Sequence, residues 1–245
     1  MLTAGRNFCA SRSLSFFLDQ DYENKVLLIY QNSAIPQQLD PSIDTSNIIL
    51  INNNIDSKTG LPYTNLGAIY NDAIKYIPDD VDVVNCYEDD DIRMPYFLSE
   101  GVKGYQRAME ENMLAYKPLT SYLRSGNEIS AISNVLEASF FINKHYLLGK
   151  GFDEVNVSHH HRWLHPLQQE ALLLVDNVNR SGYVYTWGEN GIPVYKTSGA
   201  GETHDNFINY HRFSQDHGNN VIKVLDRELI DSYYNEVEDF IHSQS

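Results

Sequence analysis

Short apolar runs alternate with polar stretches along this chain, and the spacing within each run predicts an element. The opening segment Met1 to Arg6 reads as a short apolar strand that runs into a Gly5-Arg6 turn. From Phe8 to Leu18 the apolar residues recur at helical spacing, with Phe8, Cys9, Leu14, Phe16, Phe17 and Leu18 mostly on one side. A polar turn, Asp19 to Asn24, leads into the continuous apolar run Val26 to Tyr30, the pattern of a strand buried on both faces. Gln31 to Ser46 is rich in Ser, Pro, Asp and Gln and reads as loop. Ile48 to Asn52 predicts a second buried strand. Asn65 to Tyr76 fits a helix with Leu66, Ile69, Ala73 and Ile74 inward, and Val81 to Tyr87 predicts a third strand. That strand ends on four consecutive acids.

Alternation of strand and helix predicts an α/β fold with a mostly parallel central sheet flanked by helices, Rossmann-like in its first half. Val26 to Tyr30, Ile48 to Ile51 and Val81 to Cys86 are expected in that one sheet. Beyond Pro95 the pattern predicts a helix to about Tyr116, a helix from Pro166 to Asn177, a strand at Tyr183 to Trp187, and a closing amphipathic helix from Arg227 to His242. Neither repeat nor linker divides the chain. The expectation is one domain over residues 1–245, with a nucleotide-binding half at 1–95 and an acceptor-side half at 96–245.

Charge narrows the partners. Against 18 Lys+Arg stand 33 Asp+Glu, a net charge of -15. An overall anion repels phosphate backbones and anionic lipid, so general nucleic-acid or membrane-surface binding is not expected. No apolar run approaches the roughly 20 residues that cross a bilayer. The start lacks a signal peptide's apolar core, and two cysteines, Cys9 and Cys86, make no disulfide framework. A cytoplasmic protein is the expectation.

The richest candidate chemistry is Glu88-Asp89-Asp90-Asp91, set directly after a buried strand. Parallel sheets bind ligands beyond the carboxyl ends of their strands. Strand alternation would pair Glu88 with Asp90 and Asp89 with Asp91. Either pair suits a hard divalent cation, Mn²⁺ or Mg²⁺, with positions left for phosphate oxygens and water.

Six segments in order resemble the family 2 nucleotide-sugar glycosyltransferases, which have the A-type fold. Thr3-Ala4-Gly5-Arg6 is similar to that family's T-Y-N-R strand end, and Phe17 to Asn24 to its L-x-Q-x-Y-x-N turn. Asn65-Leu66-Gly67-Ala68, with Asn71 and Ala73-Ile74, resembles N-x-G-A-x-x-N-x-A-I. The acidic run followed by Pro95 resembles D-x-D-D-x-x-x-P, a DXD-type motif. Glu137 to Phe141 and Gly151-Phe152-Asp153-Glu154 are similar to the acceptor-side strand and the G-F-D-E turn. The resemblance covers most of Met1 to Glu154. It implies that Glu88, Asp89 and Asp90 hold the donor's diphosphate and ribose, with the metal on Asp89, Asp90 or Asp91. It also implies a nucleoside pocket at Thr3, Ala4 and Arg6, and places Gly67 and Asn71 on the donor side. The implied donor is a UDP- or GDP-type nucleotide sugar and the acceptor an unnamed hydroxyl.

The chain departs from that family at two places. After strand two it has Tyr30-Gln31-Asn32-Ser33 where the family often has D-D-G-S, so amides at Gln31 and Asn32 would meet the base. Where an E-D pair usually follows G-F-D-E, this chain has His159 and His160, next to His161. Imidazole is a competent general base near neutral pH, so the base is expected at His159 or His160, with Asp153, then Glu154, as the carboxylate candidates. An imidazole base at its ordinary pKa of roughly 6.5 would lose activity in mild acid. His204, in a Gly-rich stretch, is the candidate late metal ligand.

The leading reading is a metal-dependent, inverting glycosyltransferase of the hexosyltransferase type. Two others stand beside it. One is a non-catalytic nucleotide-sugar-binding module, motivated by the missing E-D pair. The other is a nucleotidyltransferase on a related sheet, for which Gly5-Arg6-Asn7 is a thin phosphate loop.

Overall fold

The computed structural model describes residues 1–126, 128–134, 136–156, 158–176, 181–187 and 220–244. Its first half holds β1 (Leu2–Thr3), α1 (Asn7–Leu18), β2 (Leu27–Gln31), β3 (Gln38–Leu39), β4 (Ile48–Asn52), α2 (Leu66–Ala73), β5 (Val83–Asn85), β6 (Ile92–Arg93) and α3 (Phe97–Glu110). There follow β7 (Ala115–Pro118), β8 (Thr120–Ser125), β9 (Glu128–Ser133), β10 (Phe141–Asn143), α4 (Lys144–Lys150), α5 (His161–Gln169), β11 (Leu173–Asp176), β12 (Tyr183–Trp187), β13 (Val221–Ile222) and α6 (Arg227–Ser243).

The expected apolar runs form the first sheet. β1, β2 and β4 lie parallel in that order, with Thr3 opposite Gln31 and Gln31 opposite Asn52. The third predicted strand differs in length and partner. Only Val83–Asn85 is extended, and it pairs antiparallel with β10, in a sheet ordered β11-β7-β10-β5. Asn85 fixes this choice, because its Nδ2 donates to the carbonyls of Ala138 (2.9 Å) and Phe140 (2.8 Å). β1, two residues long, does not reach along β5. Between them lies a cavity of about 580 Å³ lined in part by Leu27, Leu28, Val83 and Val84. A third sheet, β6-β12-β8-β9, pairs β12 parallel with β8 and antiparallel with β6.

Two predicted helices are corrected. The helix after Pro95 ends at Glu110, not near Tyr116: Asn112 turns the chain at φ 59°, and Ala115 to Pro118 form β7. Residues 166–177 are not one helix either. α5 starts earlier, at His161, and ends at Gln169. Ala171 (φ 55°) then redirects the chain so that β11 runs parallel to β7, while Asn177 lies outside the described residues. Five consecutive apolar residues, Ala171 to Val175, are too few to reveal whether their period is 3.6 or 2.

α1 is buried nearly all round, polar residues included. Those polar residues have partners on two sides. Toward the acidic run, Ser13 Oγ donates to the Glu88 carbonyl (3.0 Å) and Arg12 Nη2 to the Asp90 carbonyl (2.7 Å). Toward the later chain, Ser11 Oγ accepts from Lys223 N (3.1 Å) and Ser15 Oγ from Leu225 N (2.9 Å). Phe16 packs with Ile230, Tyr233, Tyr234 and Val237 of α6.

Candidate functional site

Past Asn85 the backbone leaves the extended conformation and bends through Asp89 to Asp91. The two-face alternation expected of these acids therefore does not hold, and each finds its own partner. Arg6, at the N-cap of α1, clamps Asp89 with Nε (3.1 Å to Oδ2) and Nη2, and reaches Asp90 Oδ2 with Nη1 at 2.9 Å. Asp91 turns inward, where Tyr183 Oη donates to its Oδ2 (2.6 Å) and Thr186 N to its Oδ1 (3.0 Å). Both oxygens of Asp91 are thus engaged in holding β12. Asp89 is likewise occupied by Arg6. Glu88 accepts from Tyr70 Oη at 2.8 Å through Oε1.

Among the described residues nothing donates to the second oxygens of Glu88 and Asp90, which leaves these two as the open pair. The run is short of positive charge. Burial, reinforced by Asp90 and Asp91, pushes Glu88 up to about 8. Burial also pushes Asp89 up to about 6 despite Arg6, and Asp91 up to about 6 with Asp90 adding to it. A divalent cation beside them would supply the missing charge. No three His, Cys, Asp or Glu residues among those described converge on a point. A cation here would therefore be held by one or two carboxylates together with phosphate oxygens, the usual manner of Mg²⁺. His204 lies outside the described residues.

The residues expected around a nucleoside gather at the carboxyl ends of β1 and β2. Thr3 and Gln31 are paired across the two strands, and Asn32 N donates to the Thr3 carbonyl at 3.0 Å. Ala4 is buried beside them. Gln31 Nε2 donates to the Ile35 carbonyl (3.0 Å), while among the described residues its Oε1 is buried without a partner. Gly5 takes φ 82°, and a Cβ there would come within 3.3 Å of Ser33, so the two loops touch.

Gly67 and Asn71 have a structural contact each. They dock α2 onto the turn at Gly151 to His160. A Cβ on Gly67 would meet the Asp153 carbonyl at 1.7 Å, so only glycine permits this approach. Asn71 grips the Phe152 backbone from both ends: Oδ1 accepts from Phe152 N (2.8 Å) and Nδ2 donates to its carbonyl (2.9 Å). Asn156 Oδ1 accepts from Leu66 N (3.0 Å). Each is a contact to backbone, made across more than eighty residues of sequence.

That docked turn carries the histidines. Asp153 N donates to the His159 carbonyl (2.9 Å), and Ser158 takes φ 61°, a left-handed conformation unusual for serine. His159 and His160 are both only 6% exposed, with ring centroids 3.8 Å apart, whereas His161 faces solvent. Among the described residues, both ring nitrogens of His159 and Nε2 of His160 have no hydrogen-bond partner. Burial pushes His159 down to about 4 and His160 well below its usual value, so both are neutral at physiological pH. Trp163, fully buried, packs edge-on to His160 (5.5 Å) and Phe140 (5.6 Å), so it is core. Asp153 is half-buried in the same turn.

Sequence reading did not identify Tyr70, Tyr183 or Arg93. Arg93 is fully buried, its guanidinium 3.7 Å from the Tyr87 ring centroid, and its Nη1 donates to the Glu88 carbonyl (2.9 Å). Tyr70 joins the two halves of the site. Its hydroxyl is on Glu88, and its ring stacks on Phe152 (4.6 Å) and His159 (5.0 Å).

No protein-family model and no curated protein matches the chain by sequence. Solved structures do match in shape. The glycosyltransferase TarS from S. aureus superposes with TM-score 0.55 at 11% identity, covering 76% of this chain and 36% of TarS. A TarS structure of residues 1–349 gives TM-score 0.51 at 12% identity, with 76% and 58% covered. A mannosyltransferase from Pyrobaculum calidifontis, solved with GDP-Man and Mn²⁺, gives TM-score 0.49 at 11% identity over 75% of this chain and 54% of that one. On the two TarS superpositions, the chain has the A-type glycosyltransferase fold, a mixed α/β arrangement with parallel strands. It spans about a third of the longer TarS structure and a little over half of the shorter one.

Proposed function

We propose that this chain, folded as one domain, is a glycosyltransferase that moves a sugar from a nucleoside-diphosphate donor to a hydroxyl acceptor with inversion. One observation carries the reading. On a glycosyltransferase fold, an acidic run short of positive charge stands one tyrosine away from a buried, neutral histidine pair with unpartnered nitrogens. A charged leaving group and a proton acceptor need to sit that close to each other.

In this reading Asp90, with Glu88 beside it, holds Mn²⁺ or Mg²⁺. The cation's chemistry is Lewis-acid neutralisation of the departing diphosphate. Arg6 keeps Asp89 ionised and oriented and caps the donor end of α1. The donor's base lies over Thr3, Ala4, Gln31 and Asn32 at the strand ends. His159 takes the acceptor's proton on a ring nitrogen as the acceptor oxygen bonds to the anomeric carbon. The bond from that carbon to the diphosphate oxygen breaks, and the electron pair leaves with the nucleoside diphosphate. His159 is unprotonated at neutral pH and so open to a proton, while its burial makes it a weaker base than a solvated imidazole. The deciding experiment is release of nucleoside diphosphate from a panel of nucleotide sugars. His159→Ala, His160→Ala and Asp153→Asn are compared for turnover, with donor affinity measured in parallel. Normal turnover in both histidine variants with a dead Asp153→Asn would move the base to the carboxylate.

One observation favours the non-catalytic reading. Arg6 already sits between Asp89 and Asp90, where it offsets part of their charge. A module of that kind binds nucleoside diphosphate equally with and without Mn²⁺. A transferase shows a Mn²⁺-dependent thermal shift.

A further inference from the structure

α2 presents three successive contacts along the face it turns toward the 151–160 turn. Gly67 and Asn71 engage backbone, and Tyr70, between them, sends its side chain past the turn. Its ring is 7% exposed and lies nearly parallel to two others, at 18° to Phe152 and 19° to His159. Its hydroxyl ends on Glu88 Oε1 at 2.8 Å. Among the described residues the His159 ring has no hydrogen bond of its own, so ring contacts alone set its plane. Those contacts are Tyr70, Phe152 (6.0 Å) and His160.

We propose that Tyr70 is a positioning residue that links the donor-holding acidic run to the histidine base: its hydroxyl fixes Glu88 and its ring fixes the plane of His159. The proposal rests on the glycosyltransferase reading for its meaning, but the linkage itself is a property of the free protein. A side chain tethered at one end by a hydrogen bond and pressed at the other by a stacked ring transmits displacement of Glu88 to His159. Interfaces packed this tightly shift as units.

The test has a ligand-free arm and a kinetic arm. The first follows the His159 ring resonances by NMR at neutral pH, assigned by their loss in His159→Gln. Glu88→Ala is expected to shift them in the parent, and to leave them in place when combined with Tyr70→Phe, which keeps the ring and removes the hydroxyl. This is a double-mutant cycle read in a signal that global stability does not move. No shift in the parent background, or an equal shift in both backgrounds, overturns the proposal. In the kinetic arm the probe is acceptor-free hydrolysis of nucleotide sugars with Mn²⁺. Tyr70→Phe should raise donor KM and keep kcat. Tyr70→Leu, which removes the ring, should also lower kcat by on the order of 10²-fold, the usual penalty for a misaligned base. Equal kcat in the two variants overturns it. If the parent neither binds nor hydrolyses any nucleotide sugar, the transferase reading falls, while the NMR arm still decides the linkage.

Discussion

Arg6 Nη1 donates to Asp90 Oδ2 at 2.9 Å, and both side chains are less than a tenth exposed. This contact joins the N-cap of the first helix to an acid eighty-four residues further along. Removing one partner of a buried ion pair leaves an uncompensated charge, a loss of about 3–5 kcal/mol. Arg6→Ala is therefore expected to lower the melting temperature by roughly 6–20 °C, at the usual ~2–4 °C per kcal/mol for a chain of this size. Calorimetric melts at pH 7.5 check this.

The same acids make stability depend on pH with a definite sign. Glu88, Asp89 and Asp91 have folded values of about 8, 6 and 6, all above their unfolded values. Groups raised in this way stabilise the fold below the unfolded pKa, and that contribution is lost as pH rises through the folded value. Their contribution should thus fall between about pH 4 and 8. Mn²⁺ with nucleoside diphosphate should restore it at the upper end. Melting temperature against pH, with and without the ligands, is the measurement. A ligand effect of equal size at pH 5 and pH 8 would count against cation binding at this run.

His159 works in the opposite direction. Its folded value of about 4 lies below the unfolded one, so its contribution is present above roughly pH 6.5 and is lost as pH falls toward 4. The activity profile follows. An imidazole buried in this way keeps accepting protons far below the ordinary histidine range, so the acid limb of kcat is expected near pH 4, not near 6.5. A limb near 6.5 would mean that the working histidine is solvated, as His161 is.

Asp90 and Asp91 should separate cleanly. Asp91→Ala removes the acceptor for Tyr183 and Thr186 and should destabilise strongly, with Tyr183→Phe losing about 1.5–3 kcal/mol for a bond to a charged group. Asp90→Ala should melt closer to the parent and lose Mn²⁺-dependent binding of nucleoside diphosphate. Titration calorimetry beside thermal melts distinguishes the two.

Gly67→Ala is expected to destabilise by about 1–3 kcal/mol, because its Cβ and the Asp153 carbonyl cannot share one place. Since that carbonyl belongs to the turn carrying His159, turnover should fall further than stability alone explains. Comparing kcat well below the melting temperature with the melt itself tests this.

What the sequence displayed was local. Val26 to Tyr30 and Ile48 to Asn52 were legible because an unbroken apolar run needs no partner to be recognised. The closing helix was legible because its amphipathic period persists over seventeen residues. The partner of Val83–Asn85 was not legible, since β10 lies more than fifty residues away and Asn85 selects it through backbone carbonyls. The acids were found, but their pairing was not: strand alternation stops at Asn85, and the bend lets Arg6 bridge neighbours. Gly67 and Asn71 stood out as motif residues, yet their partners are backbone atoms of a distant turn, which no side-chain pattern records. Tyr70 was not among the inward positions that the helical spacing marked. Only its two ends, in three dimensions, tell it apart from core.

The partners of α1 also bear on the order in which the chain matures during translation. Ser11 and Ser15 are made 212 and 210 residues ahead of Lys223 and Leu225, which complete their contacts, and Phe16 likewise precedes the tyrosines of α6. On the ribosome, at about 5–20 residues per second, that leaves the helix waiting for roughly 10–40 seconds with polar and aromatic groups unsatisfied. The acidic run it supports emerges well before the far side of the helix is covered. Nascent chains of this protein are thus expected to pass through a stage in which the helix has its partners on the acidic run but lacks those on α6, a stage suited to holding by a chaperone.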